Sequence, residues 1–205
     1  MHIGRQSSTR RWNHNLHYHR IVLAAIPPGA RRALDVGCGE AFLAQDLTAQ
    51  VRQVVALDRD APSIERARQR AETAPIEFVE ADFLEHEFSA GSFDLVASVA
   101  ALHHLPMQPA LTRMAELLRP GGVLAVVGLA RSRRRPGDLV AETAGAVLHR
   151  VYRTTRHYVE QTAPVVWPPP VTYRQAREIA EQTLPGVRYR RHALWRYSLV
   201  WTKPR

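Results

Sequence analysis

Ala33-Leu34-Asp35-Val36-Gly37-Cys38-Gly39-Glu40-Ala41-Phe42-Leu43 is the stretch that decides the fold. A short apolar run reaches an aspartate, glycines follow at alternate positions, and an apolar-periodic helix is expected to open at Glu40. The glycines let the backbone leave a buried strand and pass close to a ligand, because neither carries a Cβ to block the approach. This is a strand-to-helix turn of the kind that seats a nucleotide-type cofactor. It fails the dinucleotide pattern Gly-x-Gly-x-x-Gly: counted from Gly37, the third position is Phe42, where a glycine would allow close helix packing. A nicotinamide or flavin dinucleotide is therefore a poor fit.

On either side of that turn, strand-like runs alternate with amphipathic segments through residue 130, which predicts a parallel α/β sheet. Strands are expected at Ala33–Val36, Val54–Leu57, Ile76–Val79, Phe93–Ser98 and Val123–Leu129, and helices at Ala41–Ala49, Ala61–Ala71 and Pro109–Leu118. A further helix, Leu16–Ala25, precedes Pro27-Pro28-Gly29. Pro62 suits a helix start, and Pro120-Gly121-Gly122 a stop before the fifth strand. Beyond Leu129 the pattern changes. Residues 131–137 read as an exposed connection, Leu139–Tyr152 as a helix, Trp167-Pro168-Pro169-Pro170 as a stiff extended turn, and Tyr173–Thr183 as another helix. Val187–Ala193 and Trp195–Trp201 alternate bulky and polar residues, as antiparallel edge strands do.

At 205 residues, one domain is expected, with a core large enough to bury about 70% of the unfolded surface. No apolar run reaches the roughly 18 residues that span a bilayer, and the opening residues have no signal-like apolar core, so a cytoplasmic location is expected. Cys38 is the only cysteine, which excludes an internal disulfide and a cysteine-based zinc cluster. The net charge of +9 is uneven: residues 1–130 sum to −1 and residues 131–205 to +10. A basic C-terminal third suits anionic partners, whether a phosphorylated or carboxylated substrate, an acidic carrier protein or nucleic acid.

The turn resembles motif I of the class I S-adenosylmethionine-dependent methyltransferases, Asp-x-Gly-x-Gly-x-Gly, with Ala41 in place of the last glycine. At the first turn of a helix a right-handed Ala41 is expected, at little cost. The resemblance implies a Rossmann-like α/β fold: a seven-stranded sheet of order 3-2-1-4-5-7-6, last strand antiparallel, with helices on both faces. It also implies S-adenosyl-L-methionine as cofactor and S-adenosyl-L-homocysteine as product. Residues 31–130 would form the cofactor core, 1–30 an N-terminal helix and lid, 131–170 a substrate-recognition insertion, and 171–205 the terminal helix and strand pair.

Open α/β sheets bind ligands beyond the carboxyl ends of their strands, and polar residues stand at those ends here. The resemblance places the methionine part of the cofactor at Asp35, Gly37, Cys38 and Gly39. Asp58, at a 22-residue step from Val36 and followed by Arg59, would accept from the ribose diol. Asp82 resembles the acceptor for the adenine amino group, Phe83 would flank the ring, and Val99 begins the segment bordering the sulfonium. His103 is the first candidate base and His104 the second.

The cluster Trp12-Asn13-His14-Asn15-Leu16-His17-Tyr18-His19 invites a metal reading that the helix geometry does not favour, because His14 and His17 share a face and His19 does not. Tyr18 and His17 are instead candidates for a lid over the cofactor. No Asn-Pro-Pro-Tyr-type segment follows the fourth strand, which argues against amino methylation of nucleic-acid bases. Methyl transfer to oxygen, nitrogen or carbon of a small anionic or aromatic acceptor leads. The stretch from Phe93 to Gly122 is similar to a small-molecule branch, the methyltransferase type 11 kind that includes quinone-biosynthesis enzymes. An RNA methyltransferase using the basic third, and a non-catalytic binding protein that keeps the fold, are the alternatives.

Overall fold

A computed structural model describes residues 11–71, 73–132, 150, 157–158 and 166–205. The expected helix over Leu139–Tyr152, apart from Arg150, and most of the 131–137 connection lie outside the described residues. Seven strands form one sheet: β1 (Arg32–Val36), β2 (Gln53–Asp58), β3 (Ile76–Glu80), β4 (Phe93–Val99), β5 (Leu118–Leu129), β6 (Arg188–Arg191) and β7 (Arg196–Thr202). Their order is β3-β2-β1-β4-β5-β7-β6. The first five pair in parallel, and β7 runs antiparallel between β5 and β6. The order and direction implied by the resemblance are those observed.

The helices are α1 (His19–Leu23), α2 (Phe42–Leu47), α3 (Ala61–Arg70), α4 (Met107–Leu117) and α5 (Tyr173–Thr183). Side chains alternate across the sheet, so each strand feeds two cores. Leu34, Val36, Val96 and Leu124 share one with Leu111 and Met114 of α4 and Ala176 and Ala180 of α5. Ala33, Val54, Ala97 and Ala125 share the other with Leu43 and Leu47 of α2, Ala67 of α3 and Val22 of α1.

Local chemistry sets the boundaries. Asp60 caps α3 by accepting from the Ser63 amide at 3.0 Å, with a proline in the first turn. Thr172 and Gln175 form a reciprocal capping box on α5. Helix α4 starts at Met107, two residues before the expected Pro109, because the first amides of a helix have no intrahelical partner and a proline there loses nothing. The expected Leu16–Ala25 helix is divided into a 3-10 turn, Leu16–Tyr18, and α1. Asn13 starts that segment by accepting from the Asn15 and Leu16 amides at 2.9 and 2.8 Å. Arg11–Trp12 pairs with His157–Tyr158 in parallel, a contact without a sequence signal.

Ala41 departs from expectation. Its φ of 58° and ψ of 30° are left-handed, and helix α2 begins only after it. Gly37, Gly39 and Ala41 all have positive φ, so the turn keeps the dihedral that a third glycine would supply. The alanine carries a strain of roughly 1–2 kcal/mol there, partly offset by a methyl group that is fully buried.

Candidate functional site

The carboxyl ends of β1, β2, β3 and β4 open into one cavity of about 730 Å³, within the roughly 300–1,000 Å³ range of small-molecule sites. Asp35, Gly37, Cys38, Gly39, Asp58, Arg59, Asp82, Phe83, Val99, His103 and His104 all line it. Tyr18 does not. Its side chain is buried against Val127 and Leu194, and its hydroxyl donates to the Ala193 carbonyl at 2.6 Å. His14, Asn15, Leu16 and His19 form the N-terminal wall in its stead.

The turn after β1 is anchored by the Gly37 and Cys38 amides, which donate to the Leu57 carbonyl at 2.8 and 3.0 Å. A Cβ on Gly37 would lie 2.2 Å from the Ala101 Cβ, so this glycine is demanded by the loop after β4. A Cβ on Gly39 would meet nothing within 4 Å. That glycine keeps a left-handed φ of 53°. Cys38 is half-buried, and burial followed by the charges of Asp35 and Asp58 pushes its pKa up, leaving an inert thiol.

Asp35 is 1% exposed, and its Oδ2 has no hydrogen-bond partner among the described residues. Burial above all, then the charge of Asp58, pushes its carboxyl up to about 7; the Ala44 amide pulls it down, and Asp46 raises it further. Such a group calls for a cation. Asp58 accepts from the Gly39 amide at 2.8 Å through Oδ2 and from the Asp60 amide at 3.0 Å through Oδ1. A carboxylate offers about four acceptor positions, so two remain for a diol. Asp82 Oδ1 accepts from the Leu84 amide at 2.8 Å, and Arg59 Nη1 stands 3.9 Å from Asp82 Oδ2. The donor set fits S-adenosylmethionine: an orphaned acid for its ammonium, an acid with open lone pairs for its ribose, and a glycine turn with free space above it.

A second part of the lining has another character. His103 and His104 lie on a 3-10 turn, Leu102–His104, with ring centroids 4.1 Å apart. Burial, then His104 and Arg196, pushes His103 down to about 4, and its Nδ1 has no hydrogen-bond partner among the described residues. Burial and Arg59 lower His104 against the opposing pull of Asp58. The His103 imidazole is neutral near pH 7. Trp167 and Trp195 meet edge to face at 6.4 Å, and Arg196 completes this part of the lining. His19, from the N-terminal wall, is fixed by Asp46 at 2.7 Å.

Arg196, Trp195 and the His19–Asp46 pair escaped the sequence reading. The sequence signals stand at the ends of parallel strands, whereas Arg196 opens an antiparallel one. Because Leu129 at the end of β5 pairs with Arg196, the start of β7 lies on the same sheet edge. The order of the hairpin was the signal that could have found it.

Sheet order and the glycine turn at the carboxyl edge define the Rossmann-like class of seven-stranded α/β proteins. A family model described as a methyltransferase domain matches residues 34–126. An uncharacterized methyltransferase of Mycobacterium tuberculosis (strain ATCC 25618 / H37Rv) is 38% identical over 196 residues, 94% of this chain and 98% of that protein. The ubiquinone biosynthesis O-methyltransferase of Xanthomonas axonopodis pv. citri is 31% identical over 152 residues, 70% of this chain and 61% of that one. Among solved structures, the N-methyltransferase NodS from Bradyrhizobium japonicum WM9 in complex with S-adenosyl-L-homocysteine superposes with a TM-score of 0.60 at 17% identity, over 92% of this chain and 87% of that one. This chain belongs to the class I S-adenosylmethionine-dependent methyltransferases. It is a methyltransferase, and its cofactor is S-adenosyl-L-methionine.

Proposed function

We propose that this methyltransferase acts on a small acceptor held between His103, Trp167, Trp195 and Arg196. Asp35 pairs with the cofactor ammonium, Asp58 accepts from the ribose diol with Arg59 alongside, Asp82 and Phe83 receive the adenine, and Gly37, Cys38, Gly39 and Val99 form the backbone wall. The cofactor supplies a methyl group already activated on a sulfonium, so the chain needs chiefly to orient a nucleophile in line. His103 is the residue placed to take a proton where the acceptor must lose one, with His104 beside it. The lid role passes from Tyr18 to the segment around His14–Leu16, while Tyr18 ties that segment to the turn before β7.

The observation that supports this reading is that one cavity is lined both by the acids Asp35, Asp58 and Asp82 and by His103, Trp167, Trp195 and Arg196. RNA as acceptor is less well supported. Within the basic third, Arg174 and Arg177 are paired with Glu178 and Glu181, and Arg196 is buried. Among the described residues, no helix is long and apolar enough to cross a membrane. Calorimetric titration with S-adenosylhomocysteine tests the cofactor side: binding is expected, and an absence of heat and of thermal stabilisation would overturn the assignment.

A further inference from the structure

Arg196 is 6% exposed and lines the cavity, yet its contacts are those of an incomplete site. Nη1 donates to the Leu194 carbonyl at 3.2 Å and Nη2 to the Asn15 side-chain oxygen at 2.7 Å, both neutral acceptors. Its Nε is buried without a hydrogen-bond partner among the described residues. Among the described residues no carboxylate pairs with it, although Arg119, on the far edge of the sheet, is paired with Asp94. The cavity's acids, Asp35, Asp58, Asp60 and Asp82, come from β1, β2 and β3 or the loops that follow them. Burial lowers the Arg196 pKa to about 10, so the guanidinium remains a cation at neutral pH.

The neighbourhood is built at a cost. Leu194 and Trp195 both hold positive φ, 57° and 58°, a backbone that bulky side chains avoid. The Tyr18 hydroxyl fastens the preceding Ala193 carbonyl. That strained turn carries Trp195, which lines the cavity edge to face with Trp167.

We propose that Arg196 is the anion-reading residue of the acceptor compartment, and that the methyl acceptor is a small flat molecule carrying a carboxylate. This rests on the methyl-transfer reading of the cavity. Of the five guanidinium N–H donors, those used meet the neutral oxygens of Leu194 and Asn15, and the Nε–H meets no acceptor among the described residues, so a planar carboxylate is the acceptor that would complete the set. One arginine neutralises one charge. A phosphate dianion would call for a second cation, and the remaining arginine of the cavity wall, Arg59, is two-thirds exposed and directed to Asp82. The tryptophans supply apolar surface for the planar body.

The test uses the full chain saturated with S-adenosylhomocysteine and follows tryptophan fluorescence during titration with benzoate, benzyl alcohol and phenyl phosphate. Benzoate is expected to give a saturable change at least tenfold tighter than benzyl alcohol. R196Q should abolish that preference and R196K should keep part of it, with the affinity for S-adenosylhomocysteine unchanged in both. Equal binding of benzoate and benzyl alcohol, or a preference that survives in R196Q, overturns the proposal. Tighter binding of phenyl phosphate overturns the carboxylate in favour of a phosphate ester. If R196Q does not fold, as judged by circular dichroism, the wild-type contrast and R196K decide. The S-adenosylhomocysteine titration is read separately: its failure overturns the cofactor reading, whereas its success without a benzoate preference overturns this inference alone.

Discussion

The two edges of the sheet hold the same kinds of charge in opposite conditions. At the amino edge, Asp94 is 2% exposed, accepts from the Arg31 and Arg32 amides at 2.7 and 2.8 Å, and pairs with Arg119. At the carboxyl edge, Asp35 and Arg196 are buried as deeply, and among the described residues neither has an ion-pair partner. A buried charge with its partners in place holds a fold together, and one without them is tolerated where a ligand completes it. The strand ends explain the difference. Asp94 braces the starts of β1 and β5 against β4, whereas the opposite ends splay into loops around a cavity.

That contrast can be broken most forcefully through pH. With a folded pKa of about 7 against 3.8 unfolded, Asp35 makes the folded state hold a proton that the unfolded chain releases. Its contribution to stability is full below pH 4 and is lost as pH rises towards 7, by something on the order of 4 kcal/mol. Asp35→Asn should remove this part of the slope; urea midpoints for both chains across pH 4.5–7.5 measure it, and identical slopes would refute the buried, uncompensated state. Binding of S-adenosylmethionine should expel the same proton. Calorimetry near pH 6.5 in buffers of different ionisation enthalpy reads that release.

Next in size, Asp94→Ala should lower stability by about 3 kcal/mol, by leaving two amides and an arginine without their acceptor, while affinity for S-adenosylhomocysteine stays within about twofold. A large loss of affinity would show that the two edges are not independent. Asp58→Ala should do the reverse, weakening cofactor binding by about 2 kcal/mol, roughly 30-fold, with a smaller effect on the urea midpoint. The smallest effect belongs to Ala41→Gly. Relief of the left-handed strain and loss of a buried methyl nearly cancel, leaving a change of less than about 1 kcal/mol in thermal unfolding.

Much of this was legible in advance because parallel strands buried on both faces must be apolar throughout, and because a turn that brushes a ligand favours glycine. That Asp35, Asp58 and Asp82 line one cavity follows from one rule: open α/β sheets place their crevice beyond the carboxyl ends of the strands. The same rule concealed Arg196, since the relevant end of an antiparallel strand is its beginning. Ala41 misled for a local reason. A residue just before a helix looks helical in sequence, and its left-handed φ is imposed by the path of the chain from Cys38 into α2. Tyr18 was placed in an N-terminal lid by its neighbours in the chain, but its hydroxyl is taken by Ala193, 175 residues away.

The sequence by itself determined the class of fold, the cofactor turn and the acids arranged along it, since each depends on spacing within one strand, turn or helix. Only the tertiary structure decided which charges are satisfied. Whether Asp94 finds Arg119, or Arg196 meets no acid among the described residues, depends on distances between elements far apart in the chain, and burial multiplies the consequence of each such meeting.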